Sequence, residues 1–571
     1  MKLSNAIVDQ TTALLLDHYQ LSTRFINIMI KNFGLDSAEK LLNKSLTNQE
    51  KLKLILGSQG SQLFVGKSTI ILELKKKIIE KWNSEDIESQ FEYFIKSQGK
   101  SRTHKINKLA NQRWHSGKRW PNTFVEISGF NSVFTGLANE ARKRKFDDVE
   151  PIIRPPELKD FQIKLKNDLI STLNDKGDKA KCIISLPTGG GKTRTAVEAF
   201  VEWLQPRFAE GKYLIWIAQS EELCEQAIAS ISQVWSTKEF TDSLRIYRMF
   251  STHDVIKEDL IGGVIVATIN KLYNAIENDN EVVREIIKYC GAMIIDEAHR
   301  AVTPMYEALY SYAGELKGTD MFPICGLTAT PGRKHNSQSL SKFFKTNLYT
   351  PDLGKEYEDN PLKFFRDKKY LAMPIHKTIR TNYTVPSVVM DGDVCDEQFL
   401  VNLDQEFKKS LNRVLAKDED RNLLIIKTLL KIPKNEMSLI YTCTVDHATY
   451  LSSIMNYYDR TSVVISSDTR KPLRRKYIEQ FKNGEIEFIF NYGVLTTGFD
   501  APKTQNIVIC RPTFSTVLYE QIVGRGLRGP EFGGTATCKI IDFCDNYERF
   551  GDQQAYMRFV EFWERQEPEF A

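Results

Sequence analysis

Short unbroken apolar runs, each followed by a stretch of helical periodicity, constrain the fold of this chain more than any other feature. They stand first at KCIISLP, YLIWIA, GVIVAT, AMIIDEAH and ICGLTATP, between residues 181 and 331. A strand buried on both faces needs continuous Ile and Val, whereas a half-solvated strand alternates, so these runs predict a parallel sheet covered by helices. The same texture returns after Asp420 in SLIYT, SVVISS, FIFNYG, NIVICRP and CKIIDFC. The expected fold class is α/β, with two parallel-sheet domains in tandem.

The rest of the 571 residues is arranged around these sheets, enough chain for roughly three to four domains. Residues 1–150 carry helix-period segments such as LLLDHYQLSTRFINIMIKNFG and TIILELKKKIIEKW, which predict an N-terminal, mainly helical domain. The prolines of DDVEPIIRPPELKD remove backbone donors and favour extended geometry, so they mark a boundary. The first sheet domain is expected over 151–345, a charged connector over 346–419, the second sheet domain over 420–548 and a C-terminal helical segment over 549–571. No run approaches the roughly 18 apolar residues of a membrane span, and the N-terminus lacks the pattern of a secretory signal. A cytoplasmic protein with no membrane partner is expected. The cysteines lie mostly singly in strand-like runs, without CxxC spacing, and read as buried free thiols.

Between the first run and its helix lies SLPTGGGKTRTA. Gly189, Gly190 and Gly191 let backbone N–H groups turn inward without Cβ clashes, and the helix N-terminus adds partial positive charge. Such a loop suits the phosphates of ATP, with Lys192 on the β- and γ-phosphates and the Thr193 hydroxyl on Mg²⁺. A glycine turn without a ligand is the blander alternative, and the Lys-Thr pair at a strand-to-helix junction makes it the poorer one. Further on, MIIDEAHRA ends an apolar strand with Asp296 and Glu297. At the carboxyl edge of a parallel sheet Asp296 can hold Mg²⁺ through water, while Glu297 orients and deprotonates an attacking water. Hydrolysis is implied.

The glycine loop and DEAH tetrad together resemble superfamily 2 helicases and translocases, whose two tandem sheet domains are RecA-like. The other motifs follow in that family's order. LKDFQ looks like the adenine-reading element, with Phe161 and Gln162, and IAQSEELCEQA and VIVATINKL look like strand-tracking motifs, with Gln226 and Thr268. GLTATP resembles the element that couples the ATP site to nucleic acid, through Thr328 and Thr330, and LIYTCTVDHA, NYGVLTTGFDAP and YEQIVGRGLRGP resemble the motifs of the second domain. The resemblance implies further nucleotide contacts from Pro187, Thr188, Gly498 and Asp500, and catalytic roles for Gln521, Arg525 and Arg528. The two arginines are expected three apart on one helix face, delivered from the second domain so that hydrolysis requires the cleft to close. TATP and QIVGRGLR look closer to RadD-like and restriction-motor proteins than to DEAD-box RNA helicases.

Between Lys96 and Trp120 the chain has no acid and interleaves Lys105, Lys108, Lys118 and Arg119 with Trp114 and Trp120. This mix suits phosphate neutralisation and base stacking, and suits equally a solvated face over two core tryptophans. On this reading the N-terminal domain is an accessory whose removal leaves the ATPase chemistry in place. The leading expectation is an ATP-dependent DNA helicase or translocase of repair, restriction or phage defence. An RNA helicase, and a nucleic-acid-sensing ATPase that gates an effector such as a nuclease, are the alternatives. The sequence holds no nuclease constellation of its own that we can read.

Overall fold

The computed structural model describes residues 3–136, 146–149, 157–318, 321–329, 337–357, 361–384, 405–495 and 501–546, apart from positions 37, 43, 67, 96–100, 117, 176, 178–179, 188, 239, 241 and 514–515. Thr188, Thr330, Gly498 and Asp500, and the segment 549–571, lie outside these residues.

All ten apolar runs are strands. The first sheet contains β1 (Phe146–Val149), β2 (Lys181–Ser185), β3 (Tyr213–Ala218), β4 (Leu244–Met249), β5 (Gly263–Thr268), β6 (Cys290–Asp296), β7 (Ile324–Thr328) and β8 (Leu348–Tyr349), in the order β1-β4-β5-β3-β6-β7-β2-β8. Every pairing is parallel except that of β1 with β4. The second sheet contains β9 (Met373–Thr384), β10 (Ser438–Tyr441), β11 (Ser462–Ile465), β12 (Phe488–Asn491), β13 (Asn506–Ile509) and β14 (Thr537–Asn546), all parallel in the order β11-β12-β10-β13-β14-β9. The central strands are buried along most of their length, and YLIWIA in β3 along all of it. These are two RecA-like domains.

Two boundaries differ from expectation. The stretch 346–419 is more than a connector, because β8 extends the first sheet and β9 extends the second. The first sheet also reaches back to β1, before residue 151. Each of these strands lies at a sheet edge, where one side meets solvent. Met373 and Ile375 of β9 are exposed, so the continuous apolar signature of a central strand is missing. Among the described residues no helix is long and apolar enough to cross a membrane. The described cysteines Cys182, Cys224, Cys290, Cys325, Cys443, Cys510 and Cys538 are all buried and free.

The N-terminal domain is helical, but it is not a separate body. Its helix Asn48–Gln59 lies against the helix Val445–Tyr457 of the second sheet domain, and buried residues of both belong to one hydrophobic core. Asn456 Nδ2 donates to Gly57 O at 3.2 Å, the Tyr457 hydroxyl meets Glu50 Oε1 at 3.2 Å, and Arg470 donates to Ser116 Oγ at 2.9 Å. The domain and the second sheet domain therefore share one packed interface.

Within it the helix Thr69–Glu80 buries Ile70, Ile71, Leu74, Ile78 and Ile79, and on the same face Lys75. Its ammonium makes no hydrogen bond and lies 4.9 Å from the centre of the Trp114 ring. Burial pushes the Lys75 pKa down from 10.5 to about 8. The unfolded chain therefore binds more protons than the folded one between these values, and stability rises with pH across that window. Below about pH 8 the penalty is complete, of order 3 kcal/mol before the contact with Trp114 offsets part of it. Lys75→Met is expected to raise the melting temperature at pH 7 and to give a much smaller gain near pH 10.5, as paired thermal melts would show. Equal gains at both pH values would refute the buried-charge account.

Candidate active site

The glycine loop leaves β2 through Leu186 and Pro187 and enters the helix Lys192–Leu204. Gly189 and Gly191 both have φ of 85°, which favours glycine over any residue with a Cβ. A Cβ on Gly191 would also stand 2.3 Å from Gln162 Nε2, and one on Gly190 3.0 Å from Pro187 O. Lys192 Nζ folds back over the loop to Leu186 O at 2.9 Å and Pro187 O at 3.3 Å, so the loop holds its cation at its own centre. Thr193 follows in the first turn, half-buried.

Strand register brings the acids to this loop. β7 lies between β2 and β6, pairing Thr328 with Ser185 and Leu327 with Asp296. The carboxyl ends of the three strands thus stand side by side, and the buried Thr328 accepts a hydrogen bond from Leu186 N at 3.3 Å. Thr328 joins strands and does not face outward. Glu297 has the left-handed φ of 54°, uncommon outside glycine and held here by its N–H donating to Asp296 Oδ1 at 3.0 Å. Its carboxylate lies 3.3 Å from Nδ1 of the buried His299. Burial and the neighbouring Glu297 push Asp296 up to about 6, against the opposing charges of Lys192 and Arg525. Glu297 is drawn below the ordinary range, because His299, Lys192 and Arg525 outweigh its burial.

Among the described residues no group of three His, Cys, Asp or Glu side chains could hold a metal alone. Mg²⁺ usually keeps several waters and takes one or two carboxylates beside substrate phosphates. Asp296 and the Thr193 hydroxyl supply an oxygen pair of that kind.

The arginines arrive from the second domain, but not on a helix. The helix Thr516–Val523 carries the half-buried Gln521 and ends before Arg525, and residues 524–526 form a turn. Within it position 526 requires glycine, since a Cβ there would meet Cys538 Sγ at 2.3 Å. Arg525 and Arg528 therefore point by their own local geometry and share no helical face. The charge of Arg525 acts on both Asp296 and Glu297. Arg528 instead forms an antiparallel bridge with Leu371, and its Cα lies 3.9 Å from where a Cβ on Gly189 would stand.

Leu371 belongs to a strap that motif reading missed. Ala372 N donates to Leu527 O at 2.9 Å and Gly529 N to Tyr370 O at 3.0 Å, so the segment before β9 pairs with the arginine loop. Leu371 Cδ2 comes within 3.3 Å of a Cβ position on Gly189. Tyr370 and Phe365 pack on Phe161, whose neighbour Gln162 touches Gly190 O at 3.4 Å and accepts from Lys159 N at 3.0 Å. Phe161 is only 5% exposed, buried within this aromatic cluster. The signal for the strap was the pair of Phe364 and Phe365 followed by KYLAMP in an otherwise charged stretch. Lys159 with Glu531 at 2.8 Å and Arg474 with Glu222 at 2.5 Å close the cleft from both sides.

Of the residues expected to meet nucleic acid, Gln226 is half-buried on the helix Glu221–Trp235 and Thr268 is half-buried at the end of β5. Lys105 is buried against Phe91 and paired with Glu88, so it holds the fold together and is not a contact. Trp114 and Trp120 are buried among Phe64, Phe94 and Phe124 and are core, not stacking platforms. Lys108, Lys118 and Arg119 are exposed, with the Arg119 guanidinium 3.8 Å from the centre of the Tyr93 ring.

Residues 156–333 match the family model described as the res subunit of type III restriction enzymes, and residues 421–529 match the helicase conserved C-terminal domain. The chain is 27% identical to the putative ATP-dependent helicase IRC3 of Saccharomyces cerevisiae over 68% of its own length and 51% of that protein's. It is 22% identical to the type I restriction enzyme EcoAI endonuclease subunit of Escherichia coli over 69% of its length and 47% of that subunit's. A solved fragment of a putative HsdR subunit of a type I restriction enzyme from Vibrio vulnificus YJ016 matches with a TM-score of 0.45 and 18% identity, covering 71% of this chain and 67% of the fragment. The chain spans about half the length of the curated relatives it matches.

Proposed function

We propose, for a chain that belongs to the restriction-motor-like helicases of superfamily 2, that it hydrolyses ATP to drive movement along DNA. The observation that carries this reading is the convergence on one cleft of Lys192, Asp296 and Glu297 from the first sheet domain and Arg525 from the second. Lys192 would meet the β- and γ-phosphates, and Thr193 and Asp296 would hold Mg²⁺, which when bound offsets phosphate charge and fixes the phosphate geometry. Glu297 would orient a water and take its proton as the new O–P bond forms and the bridging O–Pγ bond breaks. Glu297 is held ionised by His299, Lys192 and Arg525 against its burial, as a proton acceptor must be. Arg525 would stabilise the charge on the transferring phosphoryl group. Since the groups sit on different domains, each turnover closes and reopens the cleft, and a strand held by both domains would be moved by that cycle. Gln226 and Thr268 are the first-domain contacts we assign to that strand.

Glu297→Gln is expected to retain ATP binding while phosphate release falls by about two to four orders of magnitude, because shape and most hydrogen bonding survive and only the proton acceptor is lost. Lys192→Ala should lose both. A Glu297→Gln variant that fails to bind ATP would overturn this division of roles. ATPase rates against single-stranded DNA, duplex DNA, forks and RNA test the substrate. Stimulation by RNA alone would transfer the motor to RNA, and stimulation without strand displacement or translocation would leave an ATPase that gates an effector.

A further inference from the structure

With Lys105 and both tryptophans assigned to the N-terminal core, two exposed cations of the acid-free tract, Arg113 and Lys118, flank Ser116, which meets Arg470 of the second sheet domain. We propose that the loop bearing Arg113 and Lys118, together with Arg470 of the second sheet domain, is a track for the phosphate backbone of single-stranded DNA that has passed the cleft. This rests on the motor reading above and extends its nucleic-acid path onto a domain outside the matched helicase regions.

Both cations of the loop stand beside buried side chains. Trp114 and Trp120 anchor it from beneath, and Ser116 between them is packed so closely that a Cβ on Gly136 would come within 2.4 Å of its Oγ. Arg113 and Lys118 flank that anchor and are exposed. Arg470 is exposed as well and donates to the neutral Ser116 hydroxyl, a partner that leaves its charge uncompensated. It caps the helix Lys471–Lys482, and one turn on, Arg474 crosses the cleft to Glu222. Glu222 opens the helix Glu221–Trp235, with Gln226 one turn further. Each helical turn advances about 5.4 Å, so the line Ser116, Arg470, Arg474, Glu222, Gln226 joins the basic loop to the strand-tracking face by short steps. Trp114 and Trp120 are buried, so neither indole offers a stacking surface beside these cations. The track's contacts would be to phosphates and indifferent to base identity.

The full-length protein is tested with labelled oligothymidylates of increasing length across a potassium chloride series. The triple variant Arg113→Gln, Lys118→Gln, Arg470→Gln is expected to lose about 2 units of log–log salt slope, from about 0.7 per lost single-strand contact. Its affinity for long oligonucleotides should fall on the order of tenfold, with affinity for the shortest ones and basal ATP hydrolysis unchanged. Arg470→Lys, which keeps the charge, should restore the slope contribution of that position. An unchanged slope in a folded triple variant, or equal losses on short and long strands, overturns the track while leaving the motor intact. If the unmodified protein binds no oligonucleotide, the DNA reading itself falls, and the track with it.

Discussion

Arg525→Ala is expected to lower the maximal rate of ATP hydrolysis by about three orders of magnitude or more, with ATP affinity changed only a few-fold. An arginine supplied to a transferring phosphoryl group is worth about 10³–10⁵ in turnover, because its charge is matched by the substrate only as the transition state forms. Arg525 is preferred because its charge acts on both acids of the site, Asp296 and Glu297. It stands in a turn beside Gly526, whose missing Cβ makes room for Cys538. Arg528 is engaged through its backbone in the bridge to Leu371. Steady-state kinetics on both alanine variants, paired with nucleotide binding, decide the matter. A far larger rate loss in Arg528→Ala than in Arg525→Ala would reverse the assignment, and a matching loss of affinity in Arg525→Ala would indicate a ground-state role.

Removing residues 1–136 is expected to unfold or aggregate the remainder, in contrast to the detachable accessory that sequence reading predicts. The helix Val445–Tyr457 buries Ala448, Leu451, Ile454 and Met455 in a core continuous with that of the N-terminal helices. Deletion would leave apolar surface facing water, at about 25 cal/mol for each Å² uncovered. It would also break the contacts of Asn456 with Gly57, Tyr457 with Glu50 and Lys40 with Glu419. Calorimetry of the intact chain should show the N-terminal and second sheet domains melting together. A truncated protein that stays monomeric, with undiminished thermal stability, would show that the shared core contributes little.

The strand runs and the ATP-site motifs were legible because each is a local statement. Continuous burial shapes YLIWIA without regard to its neighbours, and the positive φ of Gly189 and Gly191 demands glycine wherever such a loop occurs. Edge strands were not legible, since β8 and β9 are half-solvated and carry mixed sequences. Lys105 shows the limit for charge patterns, because the acid that pairs with it, Glu88, lies on another helix outside the basic tract.

What the sequence by itself determined is the pair of parallel sheets, the phosphate loop with Lys192, and the acids at the end of β6, all set by residue types within a few positions of one another. The tertiary structure alone decided that the two arginines lie in and just after a turn instead of on a helix, that a strap through Leu371 pairs with the arginine loop beside Gly189, and that the helical domain shares a core with the second sheet domain. These depend on contacts such as Asn456 with Gly57, 399 residues apart in the chain. Such partners are selected by complementary packing of finished elements, and no local pattern of residues encodes which surfaces will meet.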